Sequence, residues 1–240
     1  MTGIKYITVI LFLLVNVVSK GQITSGKILF ERRTNVEKKF KNDENIKEYL
    51  NGVKTKTDLF ELYFNDTNYI FKPQANDEVD EIGWTTTSNT TYQNFNTERS
   101  ILLLSILGQP VTVIDSNLER RWQMTDSKRV ICNYECRKAF WQKNDSIRIY
   151  AWFCQEIVPA VGPESFTGLP GAILGLATED GSVIYFAKSV EVIQPKKEDF
   201  AIEIKKKKIY TYNGLRTQLV EDYGKEKWGS YLLEEVFRWL

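Results

Sequence analysis

Alternating hydrophobic and polar residues run through most of the chain and predict a protein built mainly of β-strands. Alternation of this kind places apolar side chains on one face of a strand and polar side chains on the other. Turn-forming clusters at 65–68 and 179–182 separate neighbouring runs and predict antiparallel hairpins. The predicted strands span residues 26–34, 59–64, 69–71, 92–98, 100–107, 111–115, 122–124, 130–141, 146–157, 172–177 and 183–193.

A helical spacing of apolar residues replaces the alternation in three places. Residues 36–50 carry an imperfect stripe that predicts a surface helix or another ordered excursion, and 215–223 and 228–239 predict two further helices. We expect the last helix to pack over the sheet, with docking of a partner as the less favoured alternative. The predicted fold is a β-rich α+β domain: a curved antiparallel sheet or half-barrel built from hairpins, with peripheral helices that include a C-terminal one.

The first 21 residues are typical of a cleaved secretory signal. Lys5 supplies a basic start, residues 6–18 are mostly apolar, and small residues precede Gln22. A retained membrane anchor is the less favoured alternative, so we expect no stable membrane insertion after cleavage. Residues 22–240 then predict a single exported domain that is periplasmic, associated with the outer membrane or secreted.

Charge and composition narrow the function classes. The chain has 32 Lys and Arg residues against 31 Asp and Glu residues, so no net field favours binding to nucleic acid. It contains no histidine, which excludes Ser-His-Asp and Cys-His mechanisms and metal sites built on imidazole. We expect no cofactor and no metal. The acidic residues of 77–81 lack the spacing of a calcium loop and predict a solvated loop instead.

Three cysteines in an exported chain suggest one disulfide and one remaining thiol. Cys132 and Cys136 fall on one predicted strand, about 13 Å apart, and cannot pair without a break in that strand. Folding the next hairpin brings Cys136 opposite Cys154, so we predict a Cys136–Cys154 bridge. It would close a loop of about 19 residues and stabilise the fold by roughly 3 kcal/mol. Three buried, reduced thiols are the alternative.

The stretch 165–174 combines a tight turn with an apolar run. Pro170 presets the φ angle of the first central position, and Gly171 supplies a positive φ at the second, so the sequence predicts a type II turn over 169–172. These residue types specify a backbone shape and carry no catalytic signature.

Several segments together resemble the GLPGLI family, exported proteins of Bacteroidetes. The resemblance covers about residues 92–192 and rests on 133–139, 151–153, Ile157, Pro159, 162–163, Phe166 and 168–173. The chain departs from the family pattern at Ala172, Asn133 and Cys154. The resemblance implies an envelope or secreted location and implies no reaction.

Two functions follow as hypotheses. The first is a non-catalytic module that binds an apolar ligand or an outer-membrane partner, by analogy with periplasmic lipoprotein-carrier half-barrels. Its predicted binding residues are Tyr134, Trp152, Phe166, Gly168, Leu169, Pro170 and Gly171, although ordinary sheet packing is the favoured explanation for any single aromatic residue among them. The second is a hydrolase with Ser165 or Cys132 as its nucleophile near the turn.

Overall fold

The computed structural model describes residues 21–76, 79–145, 147–204 and 208–239. The predicted signal segment, apart from Gly21, and the acidic residues Asp77 and Glu78 lie outside these ranges. Within them, no helix is long and apolar enough to cross a membrane.

One open, mixed sheet of twelve strands organises the described part of the chain. The strands are β1 (Gly26–Asn35), β2 (Thr55–Phe64), β3 (Asn68–Pro73), β4 (Thr90–Asn94), β5 (Arg99–Ile106), β6 (Gln109–Ser116), β7 (Gln123–Ile131), β8 (Tyr134–Asn144), β9 (Ile147–Cys154), β10 (Ala172–Thr178), β11 (Val183–Glu191) and β12 (Ile209–Tyr210). Their spatial order is β12-β6-β5-β4-β3-β2-β1-β11-β10-β9-β8-β7. All neighbours are antiparallel except β12 and β6. The predicted β-rich fold class is therefore confirmed.

The first strand holds the two halves of the sheet together. It pairs with β2 on one side and with β11 on the other, so residues distant in sequence meet at the centre. Aromatic side chains fill the core there. Phe60 stacks on Phe71 with ring centroids 4.8 Å apart, and Tyr185 approaches both rings edge-on. Such pairs contribute packing beyond the apolar area that they bury.

Four α-helices and two short 3₁₀ helices, Gly83–Thr85 and Lys197–Phe200, accompany the sheet within the described residues. The α-helices are α1 (Val36–Lys39), α2 (Glu44–Leu50), α3 (Tyr212–Tyr223) and α4 (Gly229–Phe237). The predicted helix over 36–50 is thus two short helices, and the Asp43 side chain caps the second by accepting from Ile46 N. Asn51 ends it in the left-handed conformation, at φ 47°.

The C-terminal helix packs as predicted along only part of its length. Phe237 lies in a second, smaller core with residues of β5, β6 and α3, and Trp239 enters the main core. Trp228 and Tyr231 keep 45% and 43% of their surface exposed. They border a cleft described below.

Candidate functional site

The Gly-Leu-Pro-Gly turn is tighter than the sequence predicts. Gly171 N donates to Leu169 O at 2.8 Å, which closes a three-residue turn, whereas Ala172 N donates to Ile157 O at 2.9 Å. The hydrogen bond that would close a type II turn over 169–172 is therefore not made. Ala172 N bonds instead to the chain segment after β9. Gly168 and Gly171 have φ angles of 90° and 134°, where residues with a Cβ are strained.

Two of the predicted binding residues in this stretch are core residues. Phe166 is fully buried, and its ring lies 5.9 Å from those of Trp122, Trp141 and Trp239. Leu169 is also buried, at 2% exposure. Gly168 and Pro170 are exposed, and Gly171 is buried. The buried side chains of Phe166 and Leu169 thus anchor the turn, whereas Gly168 and Pro170 face solvent.

Trp152 lies away from the turn, on the opposite face of the sheet. Alternation along β9 places the Trp152 side chain opposite that of the fully buried Phe153, and the half-buried ring still packs against the margin of the main core. Its ring packs against Phe186, with centroids 5.5 Å apart, over Gly175, where an added Cβ would meet Phe186 Cε1 at 2.5 Å. The cations of Arg129 and Lys138 cover the ring. Trp152 therefore shields a glycine in the sheet.

The break between β7 and β8 differs from the sequence prediction. Residues 130–141 are predicted as one strand, but Cys132 and Asn133 have φ angles of 50° and 66°, the signature of a two-residue type I′ hairpin turn. Asparagine tolerates the left-handed region through its short polar side chain, which explains the turn without a glycine. Tyr134, another predicted binding residue, is half-buried at the start of β8 beside this turn.

This turn also changes the argument about the cysteines. Cys132 is not on the strand of Cys136, so the separation of about 13 Å expected for a continuous strand does not apply. The β8–β9 register pairs Arg137 with Phe153, and one further step places Cys136 opposite Cys154. All three cysteines are thiols in the structure. Burial, together with Cys154 and Cys132, raises the pKa of Cys136 to about 12.

A pocket of about 340 Å³, which we call the turn pocket, opens beside Gly168. Its lining residues are Thr24, Asp66, Gln93, Phe95, Val158, Pro159, Ala160, Thr167 and Gly168. Most of this wall is apolar, and Val158 keeps 42% of its surface exposed. The volume falls within the range of about 300–1,000 Å³ that small-molecule sites occupy. Of the predicted binding residues, only Gly168 lies in this wall.

The segment behind the turn pocket is held by buried polar contacts that the sequence did not reveal. Glu164 is 2% exposed and accepts hydrogen bonds from Tyr185 Oη at 2.5 Å and from Asn89 Nδ2 at 3.2 Å. Burial raises the pKa of Glu164, although both donors oppose the shift. Tyr185 in turn accepts from Arg32, whose guanidinium pairs with Asp58 at 2.6 Å. This network ties the loop to the centre of the sheet.

Ser165, the candidate nucleophile, has no base among its side-chain partners. Its Oγ accepts from Arg120 Nη2 at 2.9 Å and donates to Trp239 O at 3.2 Å. A hydroxyl that donates to a backbone carbonyl is not prepared for attack by a neighbouring base. Cys132 is no better placed, because burial raises the pKa of its thiol.

A larger cleft of about 860 Å³ lies between α1, α2 and α4. Aromatic side chains line it, including Trp228 and Tyr231. Three ion pairs lie along it, namely Lys38 with Asp180, Lys39 with Glu235, and Arg238 with Glu234. The cleft contains none of the residues predicted to bind.

Comparison with known proteins finds a family match over one segment of the chain and solved structures with a similar fold. The model of a family described as "Protein of unknown function (Porph_ging)" matches residues 141–175, from the end of β8 to the start of β10. This segment includes the whole Gly-Leu-Pro-Gly turn. No curated protein matches the sequence.

Among solved structures, PNGF-II resembles the chain with a TM-score of 0.54 at 13% identity. The similarity covers 81% of this chain but 32% of PNGF-II, so the chain spans about a third of that protein. An uncharacterized conserved protein from Thermus thermophilus gives a TM-score of 0.41 at 8% identity, covering 79% of this chain and 91% of the other. The Pseudomonas aeruginosa MucA/MucB complex gives 0.38 at 8% identity, with coverages of 75% and 56%. At 13% identity, the likeness to PNGF-II concerns the fold alone.

Proposed function

We propose that this protein is an exported, non-catalytic binding module of the cell envelope that holds an apolar ligand in the turn pocket. The observation that carries the proposal is the apolar wall formed by Phe95, Val158, Pro159 and Ala160 beside Gly168. Burying an apolar chain against such a wall is favourable by roughly 25 cal/mol per Å² of surface removed from water. The tightly anchored turn keeps this wall in place before the ligand arrives.

Export and family membership belong to the same proposal. The basic start and apolar run of residues 1–21 support a cleaved signal, which leaves residues 22–240 as one domain. The match over 141–175 lies within the segment that resembles the GLPGLI family, so it supports membership in a family of that type. We place the protein in the periplasm, at the outer membrane or outside the cell.

Two alternatives remain distinct from this proposal. An outer-membrane protein is the alternative occupant, but a concave pocket of about 340 Å³ suits a small apolar group better than an extended protein surface. A hydrolase would need an activated Ser165 or Cys132, and the contacts of both side chains argue against it.

A titration with decanol, a neutral apolar probe, tests the proposal. We expect saturable binding by isothermal titration calorimetry, with a negative heat-capacity change from apolar burial. Val158→Asp places a charge in the pocket wall and should abolish the binding. Val130→Asp is the matched control, because Val130 is 69% exposed and does not line the pocket. Failure of the unmodified protein to bind decanol would refute the proposal.

We also propose that Cys136 and Cys154 form a disulfide in the exported protein. Their facing positions on β8 and β9 support this pairing. Formation would oxidise two thiols, and a disulfide such as oxidised glutathione would accept the two electrons and two protons. Cys132, whose Sγ donates to Ala187 O at 3.2 Å, would remain a thiol.

A further inference from the structure

The turn pocket has a single charged side chain among the described residues of its wall. Asp66 supplies a carboxylate there, and none of the other lining residues is charged. Asp66 lies in the turn between β2 and β3 and is exposed to solvent. Its Oδ1 accepts a hydrogen bond from Thr67 Oγ1 at 3.1 Å, and no cation in the described part of the chain pairs with it. The pocket therefore combines an apolar wall with one unpaired negative charge.

Hydrogen bonds fix the turn that carries this carboxylate. Asn65 Oδ1 accepts from Thr67 N at 2.9 Å and from Asn68 N at 2.7 Å, so the side chain closes an Asx turn. Phe95 N donates to Thr67 O at 2.8 Å, which ties the turn to the residue that follows β4. Phe95 itself lines the pocket. The backbone of Asp66 is thus held in place before a ligand binds, which lowers the entropic cost of binding.

The apolar part of the wall comes from a different segment of the chain. Val158 N donates to Ile23 O at 3.0 Å, so the segment after β9 lies against the residues that precede β1. Val158, Pro159 and Ala160 line the pocket with apolar surface. A ligand whose apolar chain covers this segment can place its head group at Asp66 within the same pocket.

We propose that the turn pocket selects cationic amphiphiles, of the primary alkylammonium class, over neutral or anionic ones with the same chain. The ammonium group forms an ion pair with Asp66, and the apolar chain lies against Phe95 and Val158. A primary amine is protonated at neutral pH, as the lysine side chain is. Because an ion pair at an exposed carboxylate contributes little, the apolar chain supplies most of the affinity and the charge supplies the selection. This inference rests on the proposed function, because it names the class of ligand for the same pocket.

Calorimetric titration with decylammonium, decanol and decanoate tests the selection, since these probes share a ten-carbon chain and differ in the head group. In dilute buffer at neutral pH, we expect decylammonium to bind about 5-fold more tightly than decanol, and decanoate to bind more weakly than decanol. Raising the salt concentration to about 0.5 M should reduce the preference for decylammonium, because salt screens an exposed ion pair. The affinity for decanol should not fall.

Substitutions of Asp66 separate its charge from the rest of the pocket, and its exposed position in a turn makes them compatible with folding. Asp66→Asn should bring the affinities for decylammonium and decanol within about twofold of each other. Asp66→Lys should reverse the order, so that decanoate binds most tightly. Asp126→Asn is the matched control, because Asp126 is exposed on β7 and does not line the pocket. It should leave the preference unchanged.

Two results would overturn the cationic selection and leave the apolar pocket standing. One is equal affinity of the unmodified protein for all three probes, and the other is a preference for decylammonium that persists in Asp66→Asn. Absence of binding by any of the three probes would overturn both the selection and the proposed function.

Discussion

Gly171 lies so close to the end of β9 that a Cβ atom on it would stand 2.0 Å from the carbonyl oxygen of Cys154. This close approach places the turn directly against the end of β9, the strand that comes before the turn in the sequence. It also explains why the chain uses glycine here, since the φ angle of 134° and the close backbone approach each exclude a side chain.

The first prediction concerns this contact. Gly171→Ala should destabilise the protein by more than about 3 kcal/mol, because the backbone of Cys154 cannot move away cheaply. Gly181→Ala is the control: its φ is 67°, but nothing lies within 4 Å, so only the strain of about 1 kcal/mol should appear. Urea unfolding followed by circular dichroism measures both. Equal losses in the two variants would show that the steric contact is unimportant.

A second prediction follows from the buried pair of Arg32 and Asp58. Asp58→Asn removes the charge that balances a guanidinium only 3% exposed, with which Asp58 Oδ2 makes contacts of 2.6 and 3.0 Å. We expect a loss of about 3 kcal/mol in the free energy of unfolding. The exposed Asp126→Asn should change it by less than about 0.5 kcal/mol. A loss below about 1 kcal/mol for Asp58→Asn would contradict this account.

The same pair predicts a pH dependence. Burial acts to raise the pKa of Asp58, but Arg32 and Lys56 outweigh it, so the folded-state pKa is below the usual 3.8. A lowered carboxylate pKa stabilises the fold at pH values above the unfolded pKa, and this contribution is lost as the pH falls through the folded pKa. The stability difference between the unmodified protein and Asp58→Asn should therefore narrow below about pH 4. A difference that stays constant down to about pH 2.5 would argue against a charge effect.

The sequence revealed the strands more completely than the contacts between them. Alternation located β1 and β2 to within a few residues, because each has one face in the core and one that is more exposed. It missed the hairpin turn at Cys132 and Asn133, since no glycine marks that turn. The break between the two strands depends on backbone angles that asparagine tolerates. The spacing of apolar residues in the sequence does not indicate those angles.

The site was less predictable than the fold. Gly168 lies beside a pocket, and an exposed turn glycine of this kind has a recognisable sequence context. Arg120 and Glu164 gave no signal, as isolated charged residues in irregular segments are normally solvated. Arg120 is buried against Phe166 and Trp239, and the partners of Glu164 are Tyr185 and Asn89. No local pattern encodes that long-range packing. The aromatic residues Phe166 and Trp152 looked alike in sequence, but Phe166 is fully buried in the segment before β10, whereas Trp152 is a half-buried residue of β9.

A third prediction tests the role of Trp152. Trp152→Ala should cost about 2 kcal/mol in unfolding free energy, because Phe186 and the backbone of Gly175 lose their cover. The affinity for decanol should stay within about twofold of the unmodified protein, since Trp152 does not line the turn pocket. Loss of decanol binding in a folded Trp152→Ala variant would show that Trp152 belongs to the binding site.

A fourth prediction concerns the cysteines. Protein folded with oxidised glutathione should have an intact mass, measured after denaturation without reductant, that is lower by the two hydrogens lost in one disulfide. Cys132→Ser should retain this loss, whereas Cys136→Ser should abolish it. Reduction should lower the stability by roughly 3 kcal/mol. A mass corresponding to three thiols under these conditions would reject the bridge.

The most direct test of the central claim is to map where decanol binds by nuclear magnetic resonance of the ¹⁵N-labelled protein. The account predicts that the largest amide shifts fall on residues of the turn pocket, namely Thr24, Phe95, Val158, Ala160, Thr167 and Gly168. Val158→Asp should remove those shifts. Shifts centred instead on Phe40 and Tyr231 in the larger cleft, or no saturable shifts at all, would contradict the claim that the turn pocket is the binding site.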